Sequence, residues 1–242
     1  MRRVVLASVL LLAGCGGSGT SSLGSSLGEH TSEAALDTGV PTVALAVARD
    51  RLHAHPDDVQ ALLTQGKAQF EMGQVGAAEA SFRKAARVSP GTQDPTMELG
   101  RVLLAEGKAA DAERAFQRVL VLAPDSLTAK TDLGVALDLQ GRHAKAQQAY
   151  REALESRPNL LAAQVDLGLS LAVSGRAKEA LDILRPLGTQ PDASPRMRQD
   201  LAVALAAAGD HEGAQALLRQ DMQAPEATQA LAAYSELADN RQ

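Results

Sequence analysis

The chain has 242 residues, of which 45 % are hydrophobic and only 2 % are aromatic, with no Trp. This hydrophobic share excludes a chain that is disordered throughout, and the length allows one sizeable domain or an array of small ones. Small aliphatic residues must fill the core, which favours helices over a β-sandwich. A mildly acidic net charge of −5 argues against nucleic acid as a partner.

Residues 1–14 have the pattern of a removed secretory signal. Arg2 and Arg3 precede an apolar run, Val4 to Ala13, that is too short to cross a bilayer as a stable helix. The stretch Leu12-Ala13-Gly14-Cys15 resembles a bacterial lipobox, which implies that Cys15 carries the lipid and becomes the new N-terminus. The alternative is an ordinary signal peptide with an incidental cysteine.

The residue after the cysteine is Gly16, and resemblance to Gram-negative lipoproteins implies sorting to the outer membrane, facing the periplasm, rather than to the inner membrane. Residues 15–32 then form a lipidated, Gly- and Ser-rich stretch that reads as a flexible tether. Such a tether holds the folded part roughly 20–25 Å from the membrane surface.

Four residue series recur every 34 positions along the rest of the chain. The four series consist of small residues, turn glycines, alanines and large side chains, and a proline follows the large side chain in most repeats. The series are Gly66, Gly100, Gly134, Gly168 and Ala202; Gly73, Gly107, Gly141, Gly175 and Gly209; Ala78, Ala112, Ala146, Ala180 and Ala214; and Phe82, Phe116, Tyr150, Leu184 and Leu218.

Each series has a physical reason in an array of paired helices. The first lets the two helices of a pair approach closely, and the second stops the first helix in a left-handed turn. The alanines permit tight crossing of the second helix, and the large residues fill the space between pairs. Prolines at 90, 124 and 158 end the second helix.

This pattern resembles the tetratricopeptide repeat, which implies an all-α fold. We expect a right-handed superhelix of about five helix pairs, with a degenerate N-terminal repeat and a C-terminal capping helix. The predicted organisation is a signal peptide over 1–14, the lipidated Cys and tether over 15–32, degenerate or capping helices over 33–58, five repeats over 59–224, and the capping helix and tail over 225–242.

The sequence offers no constellation for catalysis. The five histidines lack zinc-ligand spacing, and no phosphate-binding loop occurs, so we expect no enzyme activity, metal, cofactor or small-molecule substrate. Acidic residues on the second helices are expected to be solvated, namely Glu79, Asp111, Glu113 and Glu179.

The resemblance to the repeat family implies a groove lined by the first helices, where other proteins bind. An apolar groove suits an amphipathic helix or an extended peptide. The predicted lining residues are Leu63, Lys67, Phe70, Met97, Arg101, Leu104, Thr131, Val135, Asp138, Val165, Leu169 and Ala172, continued by Gln199, Val203 and Ala206.

The lipobox and the repeats together resemble the lipoproteins of tight-adherence (Flp-type) pilus assembly systems. The stretches that carry this resemblance are residues 133–143, 167–175 and 198–206. It implies a lipid-anchored scaffold that supports assembly or localisation of the outer-membrane secretin, with secretin or pilus components as partners. The alternative is a general envelope adaptor for another export or barrel-assembly machine.

Overall fold

The computed structural model describes residues 40–239, and their side chains as far as residue 236. Those residues form twelve α-helices, and residues 40–239 contain no β-strand, which confirms the predicted all-α class. The predicted signal peptide, the lipidated Cys15, the tether and residues 33–39 lie outside the described residues.

The chain divides into two compact units, and the first extends to Leu139. Each helix of unit 1 contacts the next one along the chain. The first helices of successive pairs, α2, α4 and α6, also contact one another in series. The helices of unit 1 are α1 Pro41–Ala54, α2 Val59–Glu71, α3 Val75–Val88, α4 Gln93–Ala105, α5 Ala109–Leu122 and α6 Leu127–Asp138.

Unit 2 begins at Gln140 and repeats the same pairing. Its two first helices, α8 and α10, contact each other, and the last helix, α12, contacts α10, α11 and α8. The helices are α7 His143–Ser156, α8 Leu161–Val173, α9 Ala177–Gly188, α10 Pro195–Ala207, α11 His211–Leu218 and α12 Ala224–Asp239.

A left-handed glycine ends the first helix of each pair, as the sequence predicts. After α2 it is Gly73, with φ of 72°, and the next residue donates its backbone N–H to the carbonyl of Gln69 at 2.8 Å. This bond satisfies a carbonyl that the helix end would otherwise leave without a partner. The other four glycines have φ between 73° and 89°, at positions 107, 141, 175 and 209.

Close approach of the paired helices depends on the small residue of the first helix. A Cβ added at Gly66 would lie 2.5 Å from the Phe82 ring, and one added at Gly168 would lie 2.5 Å from Leu184. Both large side chains are at most 1 % exposed. In the pairs that have glycine at 66, 100 and 168, a large side chain of the second helix packs directly against the backbone of the first.

Candidate binding face on the first helices

Most of the side chains predicted to line a groove are buried. In unit 1, Leu63 and Leu104 are at most 5 % exposed, since they lie in the packed part of α2 and α4. The predicted lining residues of α8 in unit 2 are buried as well, namely Val165, Leu169 and Ala172. The buried members are Leu63, Leu104, Thr131, Val135, Asp138, Val165, Leu169 and Ala172, joined by Val203 and Ala206.

The packing of the first helices explains this burial in unit 2. Helix α8 contacts α7, α9, α10 and α12, so neighbours surround it. Val165 is 7 % exposed and Leu169 is 4 % exposed. The partner-binding role of these residues stays a prediction, but among the predicted lining residues those with the largest exposure lie in unit 1.

Four of the predicted residues reach the surface of unit 1. Lys67 and Phe70 are exposed on α2, and Met97 and Arg101 are half-buried on α4. Phe70 stands out because the other four aromatic side chains of the chain, Phe82, Phe116, Tyr150 and Tyr234, are at most 8 % exposed, whereas Phe70 is 39 % exposed. We call Lys67, Phe70, Met97 and Arg101 the binding face.

A chain of ion pairs crosses this face from one repeat to the next. Lys67 on α2 lies 3.8 Å from Glu98 on α4. Arg101 lies 3.7 Å from the same carboxylate and donates from Nε to Asp132 on α6 at 3.0 Å. The exposed Lys67–Glu98 pair contributes little stability, typically under about 1 kcal/mol, whereas the Arg101–Asp132 pair is partly buried. Together the pairs fix the positions of the cations.

The acidic residues of this network were missed in the sequence, although a signal existed. Glu98 and Asp132 occupy equivalent positions in successive repeats, and Asp166 and Asp200 continue the series. The 34-residue spacing alone was enough to show that these four acidic residues share one repeat position. In unit 1 they pair with the predicted cations, whereas Asp166 and Asp200 are at most 2 % exposed in unit 2.

Burial raises the pKa of two carboxyls of the series, Asp132 and Asp200. Desolvation raises the pKa of Asp132, and the Arg101 guanidinium partly opposes that rise. At Asp200 desolvation raises the pKa to about 6, and Arg196, whose Nε lies 3.9 Å from the carboxylate, opposes the rise only in part. The charge of Asp200 also raises the pKa of Tyr234 on α12, after the larger effect of that phenol's own burial.

The expectation that Glu79 and Glu113 are simply solvated is wrong. Glu79 is 7 % exposed and Glu113 is 9 % exposed. Lys108, in the turn after α4, donates to Glu79 of the preceding pair at 2.7 Å. That hydrogen bond, followed by one with Glu106, holds the pKa of Glu79 below its usual range. The acid is buried because a cation of the next repeat reaches back to it.

The described residues show neither a metal centre nor a membrane span. Between residues 40 and 239 no three His, Cys, Asp or Glu side chains lie close enough together to hold a metal ion. In the same part of the chain, no helix combines the length and the apolar character that crossing a bilayer requires.

The fold and the face define a class of protein, the helical-repeat proteins that present a surface to other proteins. A family model described as tetratricopeptide repeat matches residues 32–95, 97–160 and 140–194, and a second of the same description matches residues 200–220. The chain therefore belongs to the tetratricopeptide-repeat family, whose members bind other proteins. No curated protein matches the sequence significantly.

Solved structures of repeat proteins share the fold at low sequence identity. A tetratricopeptide repeat protein from Parabacteroides merdae is 13 % identical with a TM-score of 0.71, and the match covers 86 % of this chain and 83 % of that one. MamA is 24 % identical with a TM-score of 0.58, covering 67 % and 93 % of the two chains. MamA from Desulfovibrio magneticus RS-1, from residue 41 onward, is 23 % identical with a TM-score of 0.60, covering 66 % and 90 %.

Proposed function

We propose that this chain is a lipid-anchored scaffold on the periplasmic side of the outer membrane. Its task is to support assembly or localisation of the secretin of a tight-adherence pilus. Cys15 is the attachment point of the lipid, and the binding face of unit 1 contacts the partner. The chain performs no catalysis in this account.

The observation that carries the partner-binding part is the exposure of Phe70. Because the Phe70 ring is 39 % exposed, the chain forgoes the hydrophobic free energy that burying it would give, whereas every other aromatic of the chain is packed in a core. Aromatic side chains dominate the energetics of protein interfaces when a partner covers them. Lys67 lies one turn away with a side chain 48 % exposed, so it can add a charged contact beside the ring.

The pilus assignment is supported by the sequence resemblance and by the order of the N-terminal features. A basic start, a short apolar run and the Leu-Ala-Gly-Cys stretch precede the predicted tether and the repeats in that order. A tether between the lipid and the helices leaves the binding face free to reach a partner embedded in the same membrane.

Affinity purification from detergent-solubilised envelopes tests the proposal. The bait is the full lipidated chain, and the co-purified proteins are identified by mass spectrometry. We expect a secretin with the wild-type bait. Phe70→Ala should weaken its recovery by about 30-fold, the effect of losing an interface hot spot of roughly 2 kcal/mol.

Leu161→Ala is the matched control, because Leu161 is 47 % exposed on α8, outside the binding face. It should leave recovery of the secretin unchanged. If the wild-type bait recovers the components of a different envelope machine, and Phe70→Ala loses them, the pilus assignment is wrong. The chain would then be a general envelope adaptor. Equal recovery by the wild-type chain and Phe70→Ala would refute the binding face.

A further inference from the structure

The second helices of unit 1 end in a surface that is both cationic and aliphatic. Exposed basic residues occupy equivalent positions on α1 and α3, Arg118 is exposed on α5, and exposed valine and leucine lie at the ends of α3 and α5. We call this set the basic edge. Its members are Arg49 and His53 on α1, Arg83, Arg87 and Val88 on α3, and Arg118, Val121 and Leu122 on α5.

Two equivalent hydrogen bonds hold these helices in one arrangement. Lys84 on α3 donates to the carbonyl of Pro56, in the loop after α1, and lies 3.3 Å from Asp57. Arg118 on α5 donates to the carbonyl of Pro90, in the loop after α3, at 3.4 Å. The second bond brings Arg118 beside the end of α3, where Val88 lies. The basic edge is therefore continuous from one helix to the next.

The aliphatic members of the edge are too exposed to serve the core. Val121 is 80 % exposed, and Val88 and Leu122 are 38 % and 40 % exposed. Val121 and Leu122 follow Arg118 by three and four residues, which places them next to it on the helix surface. Three aliphatic side chains are thus in contact with water here, and no other part of the described chain covers them.

The charge of the edge is opposite to that of the whole chain. Arg49, Arg83, Arg87 and Arg118 lie on it, and the acids of the same helices are partly withdrawn. Glu79 is buried and paired with both Lys108 and Arg83 of the edge, and Asp111 is paired with Arg114, although Asp50 on α1 and Asp57 in the loop after it are exposed. A local excess of arginine persists although the net charge of the chain is −5.

We infer that the basic edge docks onto an anionic phospholipid surface. The arginines would contact the phosphate groups, and Val88, Val121 and Leu122 would enter the interface between headgroups and acyl chains. The inference rests on the proposed lipid anchor, which holds the chain at a membrane. In the proposed anchor, the predicted tether over residues 15–32 would reach roughly 20–25 Å, enough to let unit 1 rest on the bilayer.

Collisional quenching by lipid tests this contact. The full lipidated chain carrying Val121→Cys is labelled with a thiol-reactive fluorescent dye. The dye attaches only at position 121, because the sulfur of a lipidated Cys15 does not react. It is reconstituted in vesicles of 7:3 phosphatidylethanolamine to phosphatidylglycerol with brominated acyl chains. We expect quenching of the dye at position 121 and none at Ala232→Cys, an exposed site on α12.

Charge reversal supplies the discriminating comparison. Each basic residue near an anionic surface strengthens association about fivefold, so Arg87→Glu with Arg118→Glu should weaken docking by about 25-fold or more. Arg185→Glu with Arg219→Glu, two exposed cations of unit 2, makes the same change in net charge and should leave quenching intact. Raising the salt concentration to 1 M should also reduce the quenching.

The outcomes separate the docking from the anchor. Lipid on Cys15 is read by the mass of the intact protein, independently of quenching. A lipidated chain without quenching at 121, or with equal quenching in purely zwitterionic vesicles, overturns the docking and leaves the anchor. A chain that carries no lipid but is quenched by the anionic vesicles refutes the anchor and supports the docking.

Discussion

Gly100→Ala is the substitution whose effect follows most directly from the packing of the pairs. A Cβ at this position would lie 2.5 Å from Cε1, 2.7 Å from Cζ and 3.0 Å from Cδ1 of Phe116. The ring is fully buried and cannot move into solvent. Overpacking costs about 1–3 kcal/mol, and a contact as short as 2.5 Å places this one in the upper part of that range, at about 1.5–3 kcal/mol, whereas replacing a helical glycine by alanine contributes about 1 kcal/mol of stability. The net destabilisation expected is about 0.5–2 kcal/mol.

Thermal unfolding followed by far-ultraviolet circular dichroism measures this change. For a body of the size of unit 1, the midpoint should fall by about 3–10 °C. Gly76→Ala is the control with the opposite sign, because its Cβ would meet nothing within 4 Å. The double variant Gly100→Ala with Phe116→Leu reproduces the pair that the last repeat has at 202 and 218, and should recover most of the loss. A Gly100→Ala protein as stable as the wild type would refute the packing account.

Three further predictions follow from the turns and the buried carboxyls. Gly73→Ala places a side chain at φ of 72° and should lower the free energy of unfolding by about 1 kcal/mol in urea titrations. The pKa of Asp200 is raised to about 6, so its charge destabilises the native state above that pH, by about 3 kcal/mol, and the cost fades as the pH falls below 6. Unfolding midpoints should therefore rise from pH 7 to pH 5, and Asp200→Asn should abolish that rise; a wild-type midpoint that falls over this interval would contradict the burial argument. Arg101→Ala should raise the pKa of Asp132 further, measured by nuclear magnetic resonance of the side-chain carboxyl, because the guanidinium opposes the effect of burial.

The fold was predictable from the sequence because its key contacts are local and repeated. Gly66 faces Phe82 across one helix pair, and the same sequence spacing joins Gly100 to Phe116 and Gly168 to Leu184. A requirement that recurs in every repeat is visible without any knowledge of long-range packing. The left-handed turns were predictable for the same reason, since glycine marks each of them.

The exposure of the site residues was not predictable in the same way. Phe70, Leu104 and Asp138 occupy one repeat position, yet Phe70 is exposed and the other two are buried. The difference depends on which helices cover each repeat, and the repeat pattern contains no such information. Glu79 was misjudged for a similar reason, because its partner Lys108 belongs to the next repeat.

The central claim is that Phe70 anchors an envelope partner of this chain. A photo-crosslinking amino acid in place of Phe70, expressed in piliated cells and compared with the same replacement at Leu161, tests it most directly. The account predicts an adduct at position 70 that contains the secretin, and no such adduct at position 161. Absence of any adduct at position 70, or the same adducts at both positions, would contradict it.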